Sequence, residues 1–376
     1  CIRDRDMSHP GFYYWNRILT AMLSTGMVVF TFLITRKLFS KVWLAFVAAV
    51  FVAVVPFHIQ QGVMTTPDTP VGFFTLATAY FAYRFFTDKT ERDLTISLIC
   101  MGFAVATKYN AGLAGLFPLS AVLWHWREEG VRPPLRIWVL LFGVPPLAFA
   151  IAMPYAIIEF DLFLSALFRE LNHYSVDGHG ADFTSQPGWD HIWFQLTTIY
   201  QNIGPLQAAL VIIGFGASVY KRDLRFLLIA PLAYFVFMTS MKVNFHRNFL
   251  QLYPIIAILF AGGLYVLWHG LRNLADAHAP SMRTFIPYGV AIGAFITVAP
   301  MALSSTIASV DVFRSRESRT MAIAQLQEID NTQPLYLARE LRFHEHDLAL
   351  ISRNYTFIDA VSLSACADVQ KGFYVL

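Results

Sequence analysis

From Ile18 to about Leu303 the chain passes through about ten apolar stretches, each near the roughly 20 residues a helix needs to cross a bilayer core. They fall at 15–35, 42–61, 69–87, 94–107, 110–126, 136–157, 203–220, 225–241, 249–269 and 284–304. The fourth is short and is expected to pair with the fifth as a tight helical hairpin at Thr107-Lys108-Tyr109-Asn110. Between the sixth and seventh lies a polar loop, 158–202, rich in His, Asp, Trp and Tyr. This layout predicts an all-α polytopic membrane protein, with a transmembrane domain over 9–304. From residue 305 the pattern changes. SRESRTMAIAQLQEI has helical periodicity with charge on one face, while PLYLA and YTFIDAV have the look of short strands. A small soluble α/β piece is expected over 305–376, ending as abruptly as a truncated segment would.

Charge adds an orientation. Alternate loops are basic: Arg36, Lys37 and Lys41; Arg84, Lys89 and Arg92; Arg127, Arg132 and Arg136; Lys221, Arg222 and Arg225; Arg272 and Arg283. The short loops between them carry Lys108, Lys242 and Arg247. Lys/Arg excess marks the cytoplasmic side. The N-terminal stub, the loop at 57–68, Lys108, loop 158–202, the 241–248 turn and the tail are therefore expected on the outer face, which in a bacterium is the periplasmic face of the inner membrane.

Composition agrees. Hydrophobic residues make up 56% and charged residues 14%, far from the quarter typical of soluble domains. Mean hydropathy is +0.50. Aromatics at 15% suit lipid-facing helices and interfacial belts, with Tyr13, Tyr14, Trp15, Trp189 and Trp193 as anchors. A net charge of +3 gives no reason to expect a nucleic-acid partner. Cys1, Cys100 and Cys366 are scattered and suggest neither a metal site nor a disulfide framework. A start at Cys1 in CIRDRD, without a leader pattern, suggests a piece lacking its true N-terminus.

Five segments, in order, carry a resemblance: HPGFYYWNRILTAMLSTGMVVFTFLITRKLF, PFHIQQGVMTTPDTPVGFFTLATAYFAYRFF, GFAVATKYNAGLAGLFPLSAVLW, NHYSVDGHGADF with WFQLTTIYQNIGPLQAALVIIGFG, and NFHRNFLQLYPIIAILFAGGL. Together they resemble the bacterial members of glycosyltransferase family 39, relatives of protein O-mannosyltransferases and of the lipid A aminoarabinose transferase, with the GT-C fold. The likeness spans about 9–330. It implies an enzyme that takes a sugar from a polyprenyl-phosphate donor and transfers it, with inversion, to a protein, lipid or glycan acceptor at the outer membrane face. It also implies a catalytic carboxylate in a first outside loop that would precede this chain; Asp4 and Asp6 do not match that motif.

Such a donor needs charge compensation on its leaving phosphate, and the acceptor needs a carboxylate to take or orient its proton. The outside loops hold that kit. Asp68, in TPDTP, is the candidate catalytic carboxylate, at a loop where the family often has Asp; a helix N-cap between Pro67 and Pro70 explains it equally. Lys108 interrupts apolar sequence and is a candidate phosphate-binding cation with Tyr109 beside it, or else a snorkelling lysine. His246 and Arg247 are further phosphate candidates, or helix-flanking anchors. The stretch His173, Tyr174, Asp177, His179 resembles the family's HY..GH.G pattern and is a candidate donor- or acceptor-binding loop, unless it merely turns on its glycines. His9 with Pro10 matches an HP common in the family. Glu159 and Asp161 are expected to cap an interfacial helix reaching about Leu171.

No cofactor is firmly expected beyond the lipid-linked donor. His173, His179, His191 and His246, with Asp177 or Asp182, leave a divalent cation open, although their spacing matches no standard zinc signature. The competing function is a transporter or lipid flippase. That class needs polar groups near the bilayer midplane and often an inverted repeat. Here the segment interiors are nearly free of charge, with prolines at Pro118, Pro145, Pro146 and Pro231 and no evident repeat.

Overall fold

The computed structural model describes residues 10–180, 183–278, 280–314, 335–338, 355–358 and 373–375. Its helices are α1 (Pro10–Phe39), α2 (Val42–Val54), α3 (Pro56–Gly62), α4 (Asp68–Asp88), α5 (Glu91–Thr107), α6 (Leu116–Glu129), α7 (Leu135–Ala152), α8 (Tyr155–Ile158), α9 (Phe160–Asn172), α10 (Trp189–Ile203), α11 (Pro205–Ala217), α12 (Arg222–Thr239), α13 (Tyr253–His278) and α14 (Ile286–Arg314). Two 3₁₀ turns, Tyr109–Gly115 and His246–Leu252, precede α6 and α13, and a π turn, His173–Asp177, follows α9.

Each of the predicted apolar stretches is helical, yet fewer are long and apolar enough to span. Among the described residues four qualify: Tyr14–Phe39, Leu135–Ala152, His246–His278 and Ile286–Ile307. Two bent pairs raise the number to six: Val42–Val54 with Pro56–Gly62, bent by 64°, and Trp189–Ile203 with Pro205–Ala217, bent by 117°. The remaining helices are short, as α5 and α6 are, or carry charged ends, as α4 and α12 do. The protein is a helical integral membrane protein.

The polar loop 158–202 is largely helical. Helix α9 leaves no residue buried and gathers most of its large apolar residues on one face, at Phe160, Phe163, Leu164, Leu167, Phe168 and Leu171, with Leu162 on the other side. Helix α10 does the same less completely. The sharp bend between α10 and α11 falls on Gly204, whose φ of 85° is a conformation that only glycine adopts without strain.

The buried core is assembled from α2, α4, α6, α12 and α13. Phe51 packs on Phe260 with ring centroids 4.9 Å apart, and Phe86 stacks on Phe226 at 4.4 Å. Helix α4 lies along α5 and α6, and α5 along α7. Helices α11 and α13 meet backbone to backbone: a Cβ at Gly214 would overlap the carbonyl oxygen of Leu259, and one at Gly263 that of Leu210.

Compact packing divides the chain into two units, 17–306 and 1–16 with 307–376. In the second, Leu335–Ala338, Tyr355–Ile358 and Phe373–Val375 are β1, β2 and β3 of a parallel sheet in the order β2-β1-β3. Leu335 pairs with Tyr355 on one side and with Phe373 on the other. The first two strands fall within PLYLA and YTFIDAV. The expected tail helix at 315–329 lies outside the described residues, as do His9 and Asp182.

Candidate active site

Three breaks in helical structure bring the site together. Helix α4 begins at Asp68 with Pro67 in the N-cap position, so Asp68 sits one residue past the cap its sequence context suggests, and its carboxylate meets Lys108. Helix α5 stops at Thr107 because Lys108 is extended, at φ −158° and ψ 125°, and the chain then tightens into the 3₁₀ turn 109–115. That break turns Lys108 into the bundle. The third element is the 3₁₀ turn His246–Leu252, packed against α4.

At the meeting point Lys108 Nζ donates to Asp68 Oδ1 at 2.7 Å and to Asn248 Oδ1 at 2.5 Å. Arg247 Nε lies 3.7 Å from Asp68 Oδ2. The Asp68 side chain is 2% exposed, that of Lys108 17% and that of Arg247 43%, so a buried carboxylate faces one sunken and one open cation. Lys108 does not snorkel; its ammonium is spent on two protein acceptors. The turn is held from behind as well. Tyr234 donates to the Asn248 carbonyl at 2.8 Å and accepts from Asn110 Nδ2 at 2.9 Å, and the Tyr174 hydroxyl reaches Asn248 Oδ1 at 3.4 Å.

The polar atoms here are not all used. Asp68 Oδ2, Asn248 Nδ2, Gln251 Nε2 and Gln61 Oε1 are buried without a hydrogen-bond partner. A buried group left unpaired costs about 1–3 kcal/mol, and such groups are rare in folded proteins. Two of these atoms, Asp68 Oδ2 and Asn248 Nδ2, belong to the residues that hold the Lys108 ammonium, so the fold retains unspent bonding capacity there.

Tyr174 and residues 183–185 are bonded to 242–244, just ahead of that turn. Lys242 N donates to Tyr174 O, Ser185 N to Lys242 O and Asn244 N to Phe183 O, and Thr184 forms a bridge with Val243. His179 Nδ1 is 3.3 Å from His173 Nε2, and the His179 ring packs on Phe245 at 4.8 Å. The same Phe245 ring meets Phe183 at 5.1 Å and the Arg247 guanidinium at 4.3 Å. His173, Tyr174 and His179 are thus connected to Arg247 through one aromatic ring and one amide. Asp177 is exposed. Tyr109 packs edge-on against Phe163 at 5.7 Å; burial, then the negative charge of Glu170, pushes its phenol pKa up.

His246 is turned inward. Its Nδ1 is 2.7 Å from Gln195 Oε1 and its Nε2 is 2.7 Å from the Tyr253 hydroxyl, so both nitrogens are engaged within the protein. Among the described residues no three His, Cys, Asp or Glu side chains gather closely enough to hold a metal ion. Asn248, Tyr234, Asn110 and Gln195 were not singled out by the sequence. A cue did exist: Asn244, Asn248 and Gln251 put amides at helical spacing just before an apolar helix.

The arrangement of helices has solved counterparts. The crystal structure of ArnT from Cupriavidus metallidurans in the apo state matches with a TM-score of 0.58 over 93% of this chain and 73% of that one. Its complex with undecaprenyl phosphate matches at 0.60 over 94% and 74%; sequence identity is 13% in both. This chain shares the fold of that protein. Residues 4–163 also match the family model of dolichyl-phosphate-mannose-protein mannosyltransferases. No curated protein gives a significant match.

Proposed function

We propose that the protein is a membrane glycosyltransferase that moves a sugar from a polyprenyl-phosphate donor to an acceptor, with inversion, at the outer face of the membrane. The observation that carries this is the unpartnered Oδ2 of buried Asp68, set between Lys108 and Arg247. The family-model match over 4–163 and the fold shared with ArnT, one structure of which holds undecaprenyl phosphate, support the donor class.

The chemistry then divides among the residues. The acceptor oxygen attacks the anomeric carbon, and the bond from that carbon to the phosphate oxygen breaks. The lipid phosphate leaves with the electron pair. Arg247, the more open cation, forks onto the phosphate and offsets its growing charge, an effect often among the largest in catalysis. Asp68 Oδ2 accepts the acceptor hydroxyl's hydrogen bond, orients its oxygen and takes its proton as the new bond to the anomeric carbon forms. Lys108 holds the carboxylate in place and, with Asn248, fixes its angle. His173, Tyr174 and His179 line the approach from the loop side.

The Lys/Arg asymmetry of the loops supports an outward-facing site, periplasmic in a bacterium. The test is transfer of radiolabelled sugar from a synthetic polyprenyl-phosphate sugar by detergent-purified protein. Transfer is expected from the parent and not from Asp68→Asn. Equal transfer by both would remove the assigned role of Asp68. Gradient-driven uptake into liposomes without transfer would replace the whole reading with a transporter.

A further inference from the structure

The turn that carries Arg247 and Asn248 hangs on a buried hydrogen-bond network from α10. Its bonds fix their own directions. Gln195 Nε2 has two hydrogens and two acceptors in reach: Asn244 O at 2.9 Å and His191 Nε2 at 3.1 Å. His191 Nε2 therefore accepts, and His191 Nδ1 donates to Met241 O at 2.8 Å. Gln195 Oε1 accepts, so His246 Nδ1 donates to it at 2.7 Å. His246 Nε2 must then accept from the Tyr253 hydroxyl, also at 2.7 Å. Both imidazoles are neutral with the proton on Nδ1, and each of these polar atoms has its match.

The network grips the turn three times, at Met241, Asn244 and His246, and ties it to α10 on one side and α13 on the other. His191 and Gln195 are fully buried, and the His246 ring packs between Phe57 at 4.5 Å and Phe249 at 6.4 Å. Apolar side chains would fill this space with less desolvation. A fully paired polar network instead selects one arrangement and rejects near misses. It stands next to a cluster that is conspicuously unpaired, and only Arg247 separates His246 from Asn248 in the 3₁₀ turn.

We infer that Gln195 and His246 are positioning residues, which hold the 241–248 turn so that Arg247 can meet a lipid phosphate and Asn248 can brace Lys108. This rests on the reading of Arg247 as the phosphate's cation. The role belongs to the Nδ1 edge of His246, which reaches Gln195, more than to its Nε2 edge. An Asn side chain places its amide nitrogen where Nδ1 lies, and a Gln places its own where Nε2 lies. The two amides therefore separate the two edges.

The test measures binding of undecaprenyl phosphate to the full chain in detergent by titration under native mass spectrometry. His246→Asn is expected to bind within about threefold of the parent, whereas His246→Gln and Gln195→Leu weaken binding about tenfold, the usual cost of losing an outer partner of an ion-binding group. Equal loss in both His246 variants, or parent-like binding by Gln195→Leu, overturns the inference. Arg247→Ala separates the two layers. If it weakens binding while Gln195→Leu does not, the positioning role alone fails; if it binds like the parent, the assigned phosphate site fails too. Should the variants not fold, ¹⁵N-histidine spectra of the parent decide: two buried neutral rings protonated at Nδ1 are expected, and an Nε2–H form or an imidazolium at His246 overturns it.

Discussion

Helix α4 joins two unlike ends. At its last turn Asp88 meets Lys37 at 2.9 Å, with side chains 43% and 28% exposed. Around it Lys89 pairs with Glu129, Arg222 with Glu128, and Arg136 with Glu91 at 3.1 Å. Partial burial works against the Asp88 carboxylate, yet its bonds to Lys37 and Thr87 hold its pKa below the usual range. At the first turn, about 30 Å away by helical rise, Asp68 is 1% exposed and has one oxygen unpaired. One end closes its charges in water, where a pair is worth about 0–1 kcal/mol. The other keeps a carboxylate dry and unfinished, where removing its partner costs several times more. Ion pairs that look alike as distances thus differ in what they cost to break: the exposed ones tolerate change, and the buried one does not.

That contrast can be broken most forcefully at Asp68. Asp68→Asn should lower transfer about a thousandfold in the radiolabel assay, within the range for a positioned proton-handling group. Next, Lys108→Met strands a buried carboxylate and should cost about 3–5 kcal/mol, read as a large drop in thermal midpoint. Combining it with Asp68→Leu should restore most of that stability while transfer stays absent, which separates folding from function. Tyr234→Phe should cost about 1–2 kcal/mol by releasing the Asn248 carbonyl and the Asn110 amide. The smallest effect belongs to the far end. Lys89→Ala should change stability by under about 1 kcal/mol and leave transfer intact. Because the folded Asp88 carboxyl titrates below an ordinary aspartate, its small contribution is present above the ordinary aspartate range and fades as acid brings the pH through the lower, folded value. Asp88→Asn should remove that slight acid-side loss in a melting series. A Lys89→Ala enzyme as inactive as Asp68→Asn would erase the difference between the ends.

Much of this was legible in the residues, for a physical reason. An ionisable group amid apolar sequence is costly, so Asp68 and Lys108 stand out individually. Their partnership did not, because 40 residues separate them and only the antiparallel packing of α4 on α5 closes the gap. In loop 158–202 the interfacial helix expected up to about Leu171 corresponds to α9, whereas α10 went unread because the loop's overall polarity conceals its apolar face. His246 and Arg247 were indistinguishable as neighbours in a polar turn. A 3₁₀ turn rotates successive side chains by about 120°, so one faces Asp68 while the other faces α10. Asn248 went unnoticed because an amide in a turn is ordinary; what makes it unusual is the lysine it holds, and that is a fact of three dimensions.

The glycine crossing of α11 and α13 has a consequence for traffic. A seam with no side chains between its backbones has no slack to give, so these two helices must rock, if at all, as one plank. A long isoprenoid tail seeking a berth would find no doorway there. The proposed donor would have to slip in along seams lined with side chains, whose rotamers can yield.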